Sequence, residues 1–145
     1  MKNNKMISHF QYVPKIWSTL VFFLLLAGVY FLFMGRKKEG LRIQFLLDIF
    51  PDFYSHVSNF AISFLICLVA GYMGIMQTRK MSFVFVMGVL LILANFIYEW
   101  FVPMLNTMDK VDAYYGFAGT ILPFVFFFFY RKYGLMPNPY FKVES

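Results

Sequence analysis

The sequence predicts an all-α fold, an integral membrane bundle of four transmembrane helices. Of its 145 residues, 61% are hydrophobic, 23% aromatic and only 14% charged, a composition outside the range of soluble domains. Four apolar runs are each close to the roughly 20 residues that cross a hydrocarbon core; they cover residues 16–34, 57–76, 81–102 and 113–130. We therefore expect one membrane domain (16–132), a basic N-terminal arm (1–15) and a C-terminal tail (133–145).

The basic residues flank the predicted helices instead of forming one aromatic-interleaved patch. The net charge of +6 therefore indicates anionic lipid headgroups as partners and not nucleic acid. An even number of spans places both termini on one side of the membrane, and that side carries eight of the 13 lysines and arginines. This asymmetry favours cytoplasmic termini. A cluster at Arg36, Lys37 and Lys38 on the opposite side acts against it.

The first run has Trp17 and Tyr30 toward its two ends, as in an aromatic belt, and a basic flank follows it. We interpret it as a retained helix and not a signal peptide.

The next segment, residues 41–52, is too short to span, and Pro51 closes it. An interfacial or shallow re-entrant helix fits this segment best. Asp52 follows the proline, where it is either a helix N-cap or part of a site.

The second run carries small and polar residues at spacings of three and four, which places them on one face of a helix; they are His56, Asn59, Ser63, Cys67, Ala70 and Gly74. Helix packing explains most of this stripe. Cys67 is the only cysteine in the chain, so it has no partner for a disulfide or a thiolate metal site. The sequence contains no phosphate-binding glycine loop or zinc signature, and we expect no cofactor.

The third and fourth runs bring carboxylates to the membrane surface. Asn95 and Glu99 are four residues apart, so they share one helix face. Asp109 and Asp112 open the fourth helix, where an N-cap and the helix dipole both favour a negative charge. Gly116 then allows close approach of a neighbouring helix.

Topology places the start of the second and fourth helices and the end of the third at one membrane surface. The candidate ligand-binding or proton-handling residues there are Asp52, His56, Asn95, Glu99, Asp109 and Asp112. A histidine among carboxylates suits divalent-cation binding, proton relay or recognition of a cationic or hydrogen-bonding ligand. His56, Glu99 and Asp112 are weak metal candidates. No nucleophile with a positioned base is evident, so no catalytic residue is assigned.

These residues also form a pattern. Pro51-Asp52-x-x-x-His56 opens one helix, Glu99 and Val102-Pro103 end the next, and Asp112-x-x-x-Gly116-x-x-Gly119 opens the last. Over residues 41–132 this resembles the VanZ-like family of small bacterial membrane proteins. Asp52, His56, Glu99 and Asp112 are its matching positions. Tyr115 departs from the family, which often has asparagine there.

The resemblance implies a multi-pass protein of the bacterial inner membrane; the founding member is associated with low-level teicoplanin resistance. We expect a cell-envelope protein that binds, or controls access to, a polar or lipid-linked ligand through an acidic pocket. A non-catalytic subunit of a homo-oligomer or of a partner membrane protein, or a membrane-perturbing effector, is the alternative. A membrane enzyme acting on lipid headgroups is the third hypothesis, and the missing nucleophile disfavours it.

Overall fold

The computed structural model describes residues 10–101 and 110–141, and four of its helices are long and apolar enough to cross a membrane. This confirms the predicted four-span membrane protein. The helices are α1 (Ile16–Met34), α2 (Gln44–Ile49), α3 (Phe53–Thr78), α4 (Ser82–Phe101), α5 (Lys110–Ile121) and α6 (Pro123–Tyr133). The strands are β1 (Tyr12–Pro14) and β2 (Leu135–Pro137).

Helix α3 is the centre of the bundle. Over half of its apolar window, 56%, is buried, against 11% for α1 and 17% for α4. Its neighbours α1, α4 and α5 all pack on it. The helix begins at Phe53, four residues before the predicted run, because the side chains of Phe53 and Tyr54 are buried in the bundle. It ends at Thr78, and the next residue, Arg79, has a left-handed backbone (φ 55°) and closes the last turn with an N–H bond to the Ile75 carbonyl.

Helices α5 and α6 form one span, Lys110–Tyr133, interrupted at Leu122, just before Pro123. A proline has no N–H, so it removes one helical hydrogen bond and favours a kink at that point. α5 packs closely on α3 because Gly119 lies against the main-chain carbonyl of Phe60, where any Cβ would clash. Gly116 gives the same close approach to the side chain of Asn95 on α4. The small face predicted for this helix is therefore what brings its first turn next to α3 and α4.

The connection between α1 and α3 contains a 3₁₀ turn, Glu39–Leu41, and the six-residue helix α2. None of the residues of α2 is fully buried, and Phe45, Ile49 and Phe50 are exposed. Whether α2 lies in the interface or enters the bilayer stays a prediction.

The segments at the two ends of the described chain meet. β1 pairs antiparallel with β2, and the hydroxyl of Ser18 donates to the Gly134 carbonyl at 2.8 Å. The buried Asn138 side chain donates to the Phe10 carbonyl at 2.8 Å. This pairing was not predicted from the sequence. It defines one end of the bundle; the opposite end, called the site end below, is formed by the C-terminal ends of α1 and α4 and the N-terminal ends of α3 and α5.

Candidate functional site

A histidine and an aspartate from two different helices are paired at the site end. His56 lies in the first turns of α3 and Asp112 in the first turn of α5, and the close packing of these helices brings them together. His56 Nδ1 lies 2.8 Å from Asp112 Oδ1, with the two side chains only 14% and 18% exposed. An ionised carboxylate can only accept hydrogen bonds, so Nδ1 is the donor when Asp112 is ionised. The pair therefore fixes the orientation of the imidazole ring.

A second carboxylate faces the other nitrogen of the same ring. His56 Nε2 is 3.6 Å from Asp52 Oδ2, and the Asp52 side chain is 53% exposed. Tyr115 donates its hydroxyl proton to Asp52 Oδ1 at 2.9 Å. Its ring stacks on the imidazole, with centroids 5.2 Å apart and planes 18° apart. Asp52, His56, Asp112 and Tyr115 are called the polar cluster below.

Below the polar cluster, two more polar pairs continue into the membrane-spanning region. Asn59 of α3 donates to Glu99 Oε1 of α4 over a long 3.5 Å, and Glu99 is only 4% exposed. One turn further, Asn95 of α4 donates to the hydroxyl of Ser63 at 2.9 Å, and Ser63 is buried. With a rise of about 1.5 Å per residue, the path from His56 to Ser63 along α3 covers about 10 Å. Buried polar side chains at such depth are costly unless they are paired, and they are typical of functional positions.

The structure brings together three of the six predicted site residues in direct contact and places two more along the same face of the bundle. Asp52, His56 and Asp112 meet in the polar cluster; Glu99 and Asn95 pair with α3 one and two levels deeper. Asp109 lies outside the described residues.

Tyr115 was not predicted as a site residue. Its position three residues after Asp112 on the same helix face is the signal that could have found it. The sequence attributes Asn59 and Ser63 to helix packing, and both lie at the interface between α3 and α4. There Asn59 also bonds the Glu99 carboxylate, and Ser63 bonds the Asn95 carboxamide.

The chemistry of this arrangement is that of hydrogen bonding and charge pairing. Two carboxylates, one imidazole and one phenol can bind hydrogen-bond donors or a cation, and the half-exposed Asp52 makes the cluster accessible from the surface of the bundle. Within residues 10–101 and 110–141, no group of three or more His, Cys, Asp or Glu side chains is arranged to hold a metal ion. The assignment of His56, Glu99 and Asp112 to a metal stays a prediction. The thiol of Cys67 is buried within the bundle, away from this surface.

Comparisons with protein-family models, with curated proteins and with solved structures find no significant match to this chain. The VanZ-like resemblance therefore stays a prediction that depends on the sequence motif alone.

Proposed function

We propose that this protein is a bacterial cell-envelope membrane protein that binds the polar headgroup of a lipid-linked or antibiotic ligand at the polar cluster. The observation that carries the proposal is His56, which lies between a largely buried carboxylate and a half-exposed one. Such a group presents acceptors toward the aqueous phase, so it suits a ligand with hydroxyl or amine donors. The residues of the VanZ-like motif supply three of the four members of the polar cluster, which also supports the proposal.

Orientation is part of the same proposal. We place both termini in the cytoplasm, with the site end outside the inner membrane and the basic residues of the opposite end at anionic headgroups. Single cysteines test this orientation, since the native Cys67 is only 3% exposed. Glu39→Cys, at a side chain 85% exposed, should react with a membrane-impermeant maleimide in spheroplasts, whereas Lys80→Cys should react only after lysis. The reverse pattern would contradict the orientation.

The function is tested by antibiotic susceptibility. Expression of the wild-type protein in a teicoplanin-sensitive bacterium should raise the inhibitory concentration of teicoplanin. Asp112→Asn should return it to the level of the empty vector, because it removes a carboxylate charge of the polar cluster. Glu99→Gln should do the same, because it removes the buried carboxylate directly below the polar cluster. Asp48→Asn is the matched control, since it removes the same charge from an exposed carboxylate that pairs only with Gln44 of its own helix among the described contacts.

Equal amounts of membrane-inserted protein must be shown for every variant. Resistance that survives in both Glu99→Gln and Asp112→Asn would contradict the proposal and favour an oligomeric or partner-bound subunit. Failure of the wild type to change susceptibility would remove the glycopeptide-antibiotic part of the proposal.

A further inference from the structure

A second polar site lies at the site end, outside the polar cluster. It is an open cleft of about 380 Å³ between the α1–α3 connection and the first turn of α3. Its walls come from the connection on one side and from α3 on the other; they are formed by Arg36, Arg42, Leu47, Pro51, Tyr54 and Ser55. Among the described residues, those that line the cleft supply two guanidinium groups and no carboxylate, the opposite charge character from the polar cluster.

Tyr54 forms the floor of this cleft. Its side chain is buried, and its hydroxyl accepts a hydrogen bond from the Ile43 N–H at 2.8 Å. Its ring lies directly against the backbone of Gly35, at a position where a Cβ atom would clash. These contacts hold the connection against α3, so the shape of the cleft is fixed by packing and not by loop side chains alone.

Arg42 is held over this floor. Its guanidinium carbon is 5.7 Å from the centroid of the Tyr54 ring, which favours a cation above the ring face. Its Nε donates to the Gly35 carbonyl at 3.1 Å, and Nη1 is 3.3 Å from Glu39 Oε1. These described contacts use two of the five N–H groups of the Arg42 guanidinium and fix its position. The other N–H groups can donate to a ligand.

Arg36 supplies the second guanidinium from the turn after α1, and its Nη1 donates to the hydroxyl of Ser58 on α3.

A structural role accounts for only part of this arrangement. Stabilisation of the α1 C-terminus explains the contact of Arg42 with Gly35. It does not explain a cleft of ligand size with two arginines on its wall. Glu39, the carboxylate that contacts Arg42, is 85% exposed, so solvent screens its charge.

We propose that this cleft binds a phosphate group, presented either by an anionic lipid headgroup or by a free phosphorylated molecule. Planar guanidinium groups recognise phosphate oxygens through paired N–H donors, and charge-assisted bonds of this kind are among the strongest in proteins. The volume falls within the range of about 300–1,000 Å³ that is typical of small-molecule sites. The proposal does not depend on the function of the polar cluster.

The test uses the full-length protein in a neutral maltoside detergent, with thermal stability and ligand titration as readouts. The probes are dioctanoyl phosphatidic acid, dioctanoyl glycerol with the same acyl chains but no phosphate, and inorganic phosphate. Phosphatidic acid should raise the melting temperature in a saturable way, and dioctanoyl glycerol should not. A saturable effect of phosphatidic acid alone would assign the phosphate to a lipid; an effect of inorganic phosphate as well would assign it to a free phosphorylated ligand.

Arg36→Gln and Arg42→Gln should each weaken phosphatidic acid binding by about tenfold or more, the value expected for one lost charge-assisted bond. Lys37→Gln is the matched control, since it removes the same charge from an exposed residue that does not line the cleft. Ser55→Trp fills the cleft without removing a charge and should abolish binding. If an arginine variant fails to fold, phosphatidic acid binding by Ser55→Trp tests the cleft in its place.

Equal weakening in Lys37→Gln and Arg42→Gln would show general charge attraction and overturn the proposal. So would unchanged binding in Ser55→Trp, or the absence of any phosphate-dependent shift in the wild type. None of these outcomes bears on teicoplanin susceptibility, so failure here and failure of the proposed function are distinguishable.

Discussion

The pairing of His56 with Asp112 gives a quantitative prediction about how the polar cluster is held together. The perturbation is a double-mutant cycle of His56→Ala and Asp112→Ala, which isolates the interaction energy from the separate effects of each truncation. A second cycle, His56→Ala with Asp52→Ala, is the matched control. Both cycles share the loss of the imidazole and of its stacking on Tyr115. They differ in the carboxylate partner, and Asp52→Ala also removes the acceptor of the Tyr115 hydroxyl, an effect that its single variant measures.

The structure sets the magnitudes of the two couplings. The first pair is 2.8 Å apart, with side chains 14% and 18% exposed. Charge-assisted hydrogen bonds contribute about 1.5–3 kcal/mol, whereas double-mutant cycles for hydrogen bonds between transmembrane helices average about 0.6 kcal/mol. We therefore expect a coupling of about 1–2 kcal/mol. The second pair is 3.6 Å apart and its aspartate is 53% exposed, so its coupling should be below about 0.5 kcal/mol.

The assay is unfolding by sodium dodecyl sulfate in mixed micelles, followed by the loss of helical circular dichroism at neutral pH. The free energies of unfolding of the wild type, the three single variants and the two double variants give both couplings. Equal couplings in the two cycles, or a larger one for Asp52, would refute the assignment of Asp112 as the principal partner of the histidine.

Two further changes test the packing that brings the site together. Gly119→Ala should destabilise the bundle by about 1–3 kcal/mol in the same assay, because the new methyl group would clash with the main-chain oxygen of Phe60. Gly28→Ala, which adds a methyl group in open space, should cause no loss, and equal effects would contradict the close approach of α5 to α3. Asn95→Ala should cost about 1–3 kcal/mol, since it removes the donor to the buried Ser63 hydroxyl. Simultaneous replacement of Ser63 by alanine should recover part of that loss, and a purely additive double variant would argue against the bond.

The sequence was sufficient for the spans because the bilayer imposes a simple length rule. The predicted first run and α1 coincide at residues 16–34, since charged and proline-containing segments flank it sharply. The start of α3 was placed four residues late because Ser55 and His56 interrupt the apolar pattern, although the helix continues through them. Alternation of the spans was also enough to predict that His56 and Asp112 share one end of the bundle.

Contacts between side chains could not be predicted in the same way, because they depend on helix rotation and spacing. The packing of Gly119 on Phe60 holds α5 close to α3, where Asp112 meets His56. The stacking of Tyr115 on the imidazole depends on the same packing. The basic cleft was missed because it exists only when Tyr54 packs against Gly35, a contact within an irregular connection that no periodic pattern encodes.

The most direct test of ligand binding at the polar cluster is the melting temperature of the detergent-solubilised protein, measured with and without added divalent cations. We expect a saturable, cation-dependent rise in the wild type and in Asp48→Asn that vanishes in Glu99→Gln and Asp112→Asn. The same dependence in all four proteins, or none in the wild type, would contradict it and leave these carboxylates as structural groups of the helix ends.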